Sequence, residues 1–259
     1  GVTDDQKKTV DIPDDIDGVP VTAVAEKAFS DANESYKQIK HVTIGKNVSQ
    51  IGDWAFASAV GKTDGTLESV TFDEGVPVSV GTRAFQKYKN NFTTFDAGNR
   101  ELTLGDNVFL GSSALTLINI PNVKSLGTGV FHGHEKTVGT LIINGEAACD
   151  PLTFKNSTGG TNAADSLTKM TIYALGSASG VKDEVKALGG IGSNILYLTN
   201  GGTLKNPPTS NIELATPVKD GYTFAGWYDN ADFSGNAVTT PTAGKTYYAK
   251  WTMADSISL

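Results

Sequence analysis

The chain has 259 residues, of which 39% are hydrophobic, enough for one large packed core or two smaller ones. A formal net charge of −7 argues against a nucleic-acid partner, because nucleic-acid phosphates require clustered Lys and Arg. No apolar run approaches the roughly 18 residues of a membrane-spanning helix, and one Cys cannot form an intramolecular disulfide.

The first distinctive stretch, "DIPDDIDG" at residues 11–18, is rich in acidic side chains. Such a cluster can hold calcium, but its spacing does not follow the D-x-[DN]-x-[DN]-G-x5-E loop of an EF-hand. We therefore expect a turn at the start of the first repeat rather than a calcium site, and adventitious calcium binding stays open.

A Phe recurs from residue 29 to residue 154 at intervals of 22 to 29 residues, each time with an apolar residue five positions earlier. The rings are Phe29, Phe56, Phe85, Phe109, Phe131 and Phe154, and the earlier residues are Val24, Ile51, Val80, Leu104, Leu126 and Cys149. A Gly often follows the earlier residue, at positions 52, 81, 105 and 127. We expect it to permit a tight turn with positive φ or a close approach of adjacent coils.

Ahead of the later Phe residues lies a second motif, apolar-x-x-apolar-x-apolar, whose ending alternates as a half-buried strand does. Its copies are Ile39, Val42, Ile44; Leu67, Val70, Phe72; Phe92, Phe95, Ala97; Leu115, Ile118, Ile120; Val138, Leu141, Ile143; and Leu167, Met170, Ile172. The spacing is typical of leucine-rich repeats, which run to roughly 20–29 residues. We predict one strand per repeat, stacked in parallel into a solenoid with the Phe rings as its spine.

The strand positions between the core residues form two columns, which parallel stacking would place side by side at about 4.8 Å intervals. The first column is Asp11, Thr43, Thr71, Asp96, Asn119, Ile142 and Thr171, and the second is His41, Ser69, Thr94, Leu117, Thr140 and Lys169. Solenoids commonly bind partners on such a concave face, although short polar residues also simply solvate an open sheet. The candidate ligand-binding residues are His41, Thr43, Ser69, Thr71, Thr94, Asp96, Asn119 and Thr171.

Reactive side chains are few. His132, His134 and Glu135 in "FHGHE" could ligate a transition metal, but a site normally needs three or four ligands, so a solvated turn is favoured. Cys149 could act as a nucleophile, but it occupies the apolar slot five residues before a Phe and should be a buried small hydrophobe. No G-x-S-x-G, P-loop or G-x-G-x-x-G motif occurs, and we predict no catalytic residue, metal or cofactor. Paired carboxylates for glycoside hydrolysis stay open, because their separation is spatial.

The pattern changes after the Gly-rich "LGGIGSN" at residues 188–194. Just before it, Val181, Val185 and Leu188 at helical spacing predict a helix near residues 180–189 that closes the solenoid. After it, "ILYLTNGGTL", "GYTFAGWYDNADFSG" and "TYYAKWT" predict strands of a small, mostly antiparallel β domain with Trp227 and Trp251 in its core. We place the domains at residues 1–193, with six to seven repeats, and 194–259.

The repeat pattern resembles the BspA-type leucine-rich repeat of bacterial surface proteins, which runs from a strand through "V..IG..AF" to the next strand. The stretch "IPDDIDGVPVTAVAEKAF" at residues 12–29 is similar to that family's frequent first unit. Residues 194–252 resemble the internalin-type B repeat, or Listeria–Bacteroides repeat, through "NGGT", "GYTFAGWY" and "YYAKWT". The resemblances imply a mainly β fold with short helical segments: a right-handed leucine-rich-repeat solenoid with a parallel sheet, then a β-grasp-like module.

The same resemblances imply an extracellular protein of the bacterial cell surface that is not an enzyme. We predict adhesion or protein–protein binding through the repeat face, with host matrix or cell-surface proteins, or other bacteria, as partners. Two alternatives stay open: a structural spacer that presents other domains from the cell wall, and a carbohydrate-binding or carbohydrate-active surface protein.

Overall fold

The computed structural model describes residues 8–30, 38–58, 65–156, 165–177, 179–208 and 214–254. This part of the chain is mostly strand, with one four-residue α-helix, α1 (Asp183–Lys186). In chain order the strands are β1 (Thr9–Ile12), β2 (Asp15–Ile16), β3 (Val19–Pro20), β4 (Ala23–Val24), β5 (His41–Ile44), β6 (Gln50–Ile51), β7 (Ser69–Phe72), β8 (Val78–Val80), β9 (Thr94–Asp96), β10 (Leu102–Leu104), β11 (Leu117–Ile120), β12 (Val123–Leu126), β13 (Thr140–Asn144), β14 (Ala148–Cys149), β15 (Thr171–Leu175), β16 (Ile195–Leu198), β17 (Tyr222–Tyr228) and β18 (Lys245–Met253).

The chain alternates between two sheets, as a solenoid of stacked repeats requires. The longer sheet has ten strands in the order β1-β5-β7-β9-β11-β13-β15-β16-β18-β17, and the shorter has six in the order β14-β12-β10-β8-β6-β4. The predicted parallel solenoid is confirmed, but one strand per repeat is wrong, because the apolar residue five positions before each Phe lies on a second strand. These second strands have only two to four residues, too few to show a period in the sequence.

The six Phe rings form a continuous ladder through the core, as the repeat predicted. Neighbouring rings stack with centroids 5.1 to 6.3 Å apart, and the rings from Phe56 to Phe154 are at most 5% exposed. Burial of one such ring stabilises a fold by roughly 2–3 kcal/mol, so the Phe ladder is a major part of the stabilisation of the solenoid.

In the turn before each ring, close backbone contacts and positive φ restrict which residues fit. A Cβ on Gly52 would lie 2.5 Å from the backbone N of Glu26, so the predicted close approach of adjacent coils is confirmed there. Positive φ, in contrast, falls on the residue two positions before each of the first five Phe residues. These residues are Lys27, Trp54, Arg83, Asn107 and Gly129.

Trp54 therefore occupies a regular left-handed position of the repeat, with φ of 59°. Its indole ring lies under the guanidinium of Arg83 from the next repeat, at 4.9 Å from the ring centroid. This cation–π contact explains a large side chain at a position where the repeat pattern alone assigns no role.

One predicted core position and one predicted strand register are wrong. Val138 is 50% exposed, because His134 and Thr137 are the buried residues of this turn. In the sixth repeat the pairing is shifted by two residues: Leu141 faces Ile172, and Ile143 faces Ala174. The shift was hidden because Leu167 and Met170 are apolar and buried as well.

The predicted helix at residues 180–189 is shorter than expected, since α1 is a single turn. Val181, Val185 and Leu188 are nevertheless buried in the solenoid core. The helix does not end the longer sheet, because β16 extends that sheet after it. The residue before it, Lys182, donates its backbone N–H to the carbonyl of Gly145, so the helix begins near the turn that leads into β14, the edge strand of the shorter sheet.

The C-terminal strands continue the longer sheet. β15 pairs with β16 in parallel, β16 pairs with β18 in parallel, and β17 pairs with β18 antiparallel. The longer sheet therefore continues across the predicted domain boundary between residues 193 and 194. The boundary itself stays a prediction. Within the described ranges, no helix has the length and apolar character needed to cross a bilayer.

Candidate functional site

The outward side chains of the longer sheet form the two rows that the repeat predicted over its first five strands. One row runs Asp11, Thr43, Thr71, Asp96 and Asn119, and the other runs Thr9, His41, Ser69, Thr94 and Leu117. We call the accessible polar members the polar strip. The polar strip comprises Thr9, Asp11, His41, Thr43, Ser69, Thr71, Thr94 and Asp96.

On β5 and β7 the polar strip carries a hydrogen-bonded cluster. Nδ1 of His41 lies 2.9 Å from Oγ of Ser69, and Nε2 of His41 lies 3.7 Å from Oε2 of Glu68. This connectivity resembles a Ser–His–acid arrangement, but Glu68 also pairs with Lys40. The backbone N–H groups of Glu68 and Ser69 both donate to the carbonyl of Lys40, so neither can stabilise an oxyanion. The geometry fits a hydrogen-bonding surface better than an acyl-transfer site.

Asp96 lies at the β9 end of the polar strip, next to the buried Asn119 of β11. Nδ2 of Asn119 donates to Oδ1 of Asp96 at 2.7 Å, and the same oxygen accepts from the backbone N of Gly98 at 2.9 Å. Asn119 is only 6% exposed. Of this pair, Asp96 is thus the more accessible group, and Asn119 holds it in position.

Beyond β11 the first of these rows becomes apolar, then aromatic, and is buried. The first row continues with Ile142, Tyr173, Tyr197 and Tyr247, all at most 3% exposed. The rings of Tyr173 and Tyr197 stack at 4.8 Å, and Trp227 lies 4.7 Å from Tyr197. These residues form one hydrophobic cluster to which both the solenoid and the C-terminal region contribute.

The C-terminal region therefore covers the sheet face of the last repeats. Nε1 of Trp227 donates to the carbonyl of Ala215, and the N–H of Ala215 donates to the hydroxyl of Tyr173. Trp227 is confirmed as a core residue, whereas Trp251 is only partly buried and donates to the carbonyl of Thr199. The polar strip thus ends against this covered region.

The position predicted for Thr171 is wrong. It pairs with Thr140, which places it in the second row instead of the first, and it is 6% exposed. A sequence signal for the buried end does exist: "TIYAL", "ILYLT" and "TYYAK" are apolar or aromatic on both faces, the pattern of strands covered on both sides.

His134 has a structural role. It is fully buried, and its Nε2 lies 2.9 Å from the carbonyl of Phe109. Burial lowers the pKa of this imidazole from 6.5 to about 4, so the neutral ring donates to that carbonyl. The hydroxyls of Tyr88 and Ser112, three residues after their own Phe, donate to the Phe carbonyl of the preceding repeat in the same way.

The prediction of a solvated turn at "FHGHE" is therefore wrong for His134. Glu135 accepts a hydrogen bond from Nδ2 of Asn156 at 2.8 Å, so its carboxylate has a partner within the protein. Over the described ranges, no three His, Cys, Asp or Glu side chains are grouped to hold a metal ion.

Cys149 lies in the register that the repeat predicted, paired with Leu126, although it is only partly buried. Desolvation raises the pKa of its thiol to about 12. A thiol in that state is a poor nucleophile, consistent with a packing role.

In the acidic N-terminal turn, β2 and β3 form the expected small hairpin. The carboxylate of Asp14 accepts from the backbone N of Lys46 at 2.8 Å and pairs with its Nζ, which lowers the pKa of Asp14. The carboxylate of Asp15 accepts from the N–H of Gly18. These contacts within the protein account for two of the four acidic groups of the turn.

Arg100 belongs to no repeat motif, so it could not be selected from the sequence. Its guanidinium is 2% exposed and donates to backbone carbonyls in two earlier turns, at residues 45–48 and 73–76. Desolvation lowers the pKa of this group. The side chain ties three successive repeats together at the ends of the sheet strands.

Two family models match the chain. Residues 22–159 match the BspA type Leucine rich repeat region, in six copies, and residues 194–250 match the Listeria-Bacteroides repeat domain. Searches of the curated proteins and of the solved structures find no match. BspA-type repeats are typical of bacterial surface proteins, and both repeat families are typically non-catalytic.

Proposed function

Because the chain belongs to the BspA-type leucine-rich repeat family, we propose that it is an extracellular surface protein of bacteria that binds another protein through the polar strip. The use that best fits this proposal is adhesion to host matrix, host cell-surface proteins or other bacteria. The observation that carries it is the alignment of accessible hydroxyl, carboxylate and imidazole groups across adjacent parallel strands.

The chemistry of the polar strip favours a protein over a glycan. Its side chains are Asp, Thr, Ser and His, whereas sugar-binding surfaces usually supply aromatic rings for stacking. The neighbouring Tyr and Trp rings at the covered end are buried in the hydrophobic cluster and are not presented to solvent. A broad polar contact with another protein is the remaining use for these groups.

A structural spacer is the second candidate, favoured by the unbroken sheet between the repeats and the C-terminal strands. A ten-stranded sheet with one shared core would hold neighbouring domains at a fixed distance and orientation. This role predicts that no surface of the described repeats binds a partner.

Charge substitutions on the two sheets separate these candidates. Thr71→Arg places a bulky cation in the middle of the polar strip, and Thr103→Arg places one at an exposed position of the shorter sheet. We expect Thr71→Arg to weaken binding to immobilised matrix protein, mucin or whole cells by at least about tenfold, since steric and electrostatic blocking at an interface centre costs ~1.4 kcal/mol or more.

The matched variant Thr103→Arg should bind as the native protein does, and both variants should keep the native melting temperature. Equal binding by native protein and Thr71→Arg would remove the polar strip as the binding surface. Absence of binding by the native protein to every target would favour the spacer.

A further inference from the structure

A small cavity lies at the C-terminal end of the Phe ladder, away from the polar strip. Its volume is about 150 Å³, and its apolar lining includes Phe154, Leu188 and Ile191. Lys155, Asp165 and Glu184 border it with charged groups. No step of the proposed function uses these residues.

The cavity borders Phe154, the last ring of the Phe ladder. Each interior ring packs between the rings of the preceding and the following repeat, and Phe154 stacks on Phe131 at 5.6 Å with an interplanar angle of 4°. The next repeat has no Phe, and α1 and Leu188 stand in its place. Phe154 therefore has a ring partner on one side and borders the cavity with the residues of the next repeat.

The size of the cavity matches one aromatic ring. An apolar cavity of about 150 Å³ is large enough to hold benzene. Ring centroids in the ladder are spaced by 5.1 to 6.3 Å, within the range of about 4.5–7 Å that aromatic pairs prefer. A ring placed against Phe154 would extend the ladder by one member.

The border of the cavity adds a charge preference. Lys155 is paired with Asp165, so these two charges largely cancel. The carboxylate of Glu184 then gives the border a net negative charge, which favours a cation close to the inserted ring.

We propose that this cavity is a docking site for a partner polypeptide, which inserts the ring of a Phe, Tyr or Trp that stands next to a basic residue. A cavity of this size buries a single ring and leaves the rest of the molecule outside, as a side chain on a protein surface would be. The contact is separate from the polar strip and does not depend on it.

Methyl NMR of the full chain, titrated with short peptides, tests this site. N-acetyl-phenylalanyl-lysine amide should produce saturable ring-current shifts of the methyl groups of Leu188 and Ile191. N-acetyl-leucyl-lysine amide should bind at least about tenfold more weakly, because even one methylene in an apolar pocket changes binding by roughly tenfold. N-acetyl-phenylalanyl-glutamate amide should also bind more weakly, because of Glu184.

Variants provide the controls. Ala187→Phe, at an exposed position bordering the cavity, should fill it and abolish the shifts, with Ala187→Leu as a milder filling variant if the first does not fold. Thr71→Arg should leave peptide binding unchanged, which separates this site from the polar strip. The proposal is overturned if the methyl groups do not shift, if the leucyl peptide binds equally well, or if a folded filling variant binds as the native chain does.

Discussion

The guanidinium of Arg100 and the imidazole of His134 are buried polar groups that hold backbone carbonyls of earlier repeats. Both join one coil to the next through its turns, in addition to the backbone hydrogen bonds of the two sheets. Neither belongs to the apolar repeat pattern, so the sequence could not assign them. A buried polar group is stabilising only when its partners are in place, and those partners are set by the tertiary structure.

Replacing Arg100 should be costly. We expect Arg100→Met to lower the free energy of unfolding by about 2–5 kcal/mol, because each buried carbonyl left unpaired costs ~1–3 kcal/mol. Arg83→Met is the matched control, since Arg83 makes a cation–π contact worth only about 0.5–1 kcal/mol. Urea unfolding measures the free energy of unfolding of both variants. Equal losses of stability would contradict the role assigned to Arg100.

His134 should make stability depend on pH. Its folded pKa of about 4 lies below the unfolded value of 6.5, so between these values the unfolded chain binds the extra proton. The stabilisation from His134 is complete above pH 6.5 and is lost as the pH falls toward 4. The total loss is about 3 kcal/mol, because each unit of difference in pKa corresponds to ~1.4 kcal/mol.

The variant His134→Ser, which copies Ser112 of the preceding repeat, should lose this contribution. Melting temperatures from pH 7 to pH 4 should therefore fall more steeply for the native protein than for the variant. Parallel curves would show that His134 does not titrate as described.

At the scale of the element, the repeat unit is a long strand, a short strand and a turn that ends in Phe. The long strands and the Phe ladder could be predicted, because their side chains alternate or recur at fixed positions. The short strands could not, since two to four residues carry no measurable period. The two-residue shift at β15 was also hidden, because the residues on either register are apolar.

The Phe ladder predicts a graded response to truncation. We expect Phe109→Ala to lower the free energy of unfolding by about 3–5 kcal/mol, as a large-to-small change in a filled core does. Phe29→Ala should cost less, because Phe29 is the first ring of the ladder and is only partly buried. Chemical denaturation of both variants checks this, and a larger loss for Phe29→Ala would contradict the stacking order.

For the whole molecule, the sequence predicts two domains, and the sheet joins them into one layer. The polar rows could be predicted over β1 to β11, because strand alternation decides which residues point outward. The buried part of these rows could not be predicted, because it depends on how the C-terminal strands pack over Ile142 and Tyr173. Four of the eight residues selected from the sequence, His41, Thr43, Ser69 and Thr71, lie on the adjacent strands β5 and β7 of the polar strip.

The shared hydrophobic cluster predicts that the two regions unfold together. Trp227→Ala should accelerate hydrogen exchange of the β13 and β15 amides, because it removes a large side chain from the core that covers those strands. Met253→Ala, at a residue that is 77% exposed in the same region, should leave that exchange unchanged. Unchanged protection of β15 in Trp227→Ala would mean that the C-terminal region is an independent domain.

Site-directed photo-crosslinking tests the proposed binding surface most directly. A benzophenone amino acid in place of Thr71, at the centre of the polar strip, should capture the bound partner when the loaded complex is irradiated. The same amino acid in place of Thr103, exposed on the shorter sheet, should not capture it. Capture from position 103 without capture from position 71 would contradict the proposal that the polar strip is the binding surface.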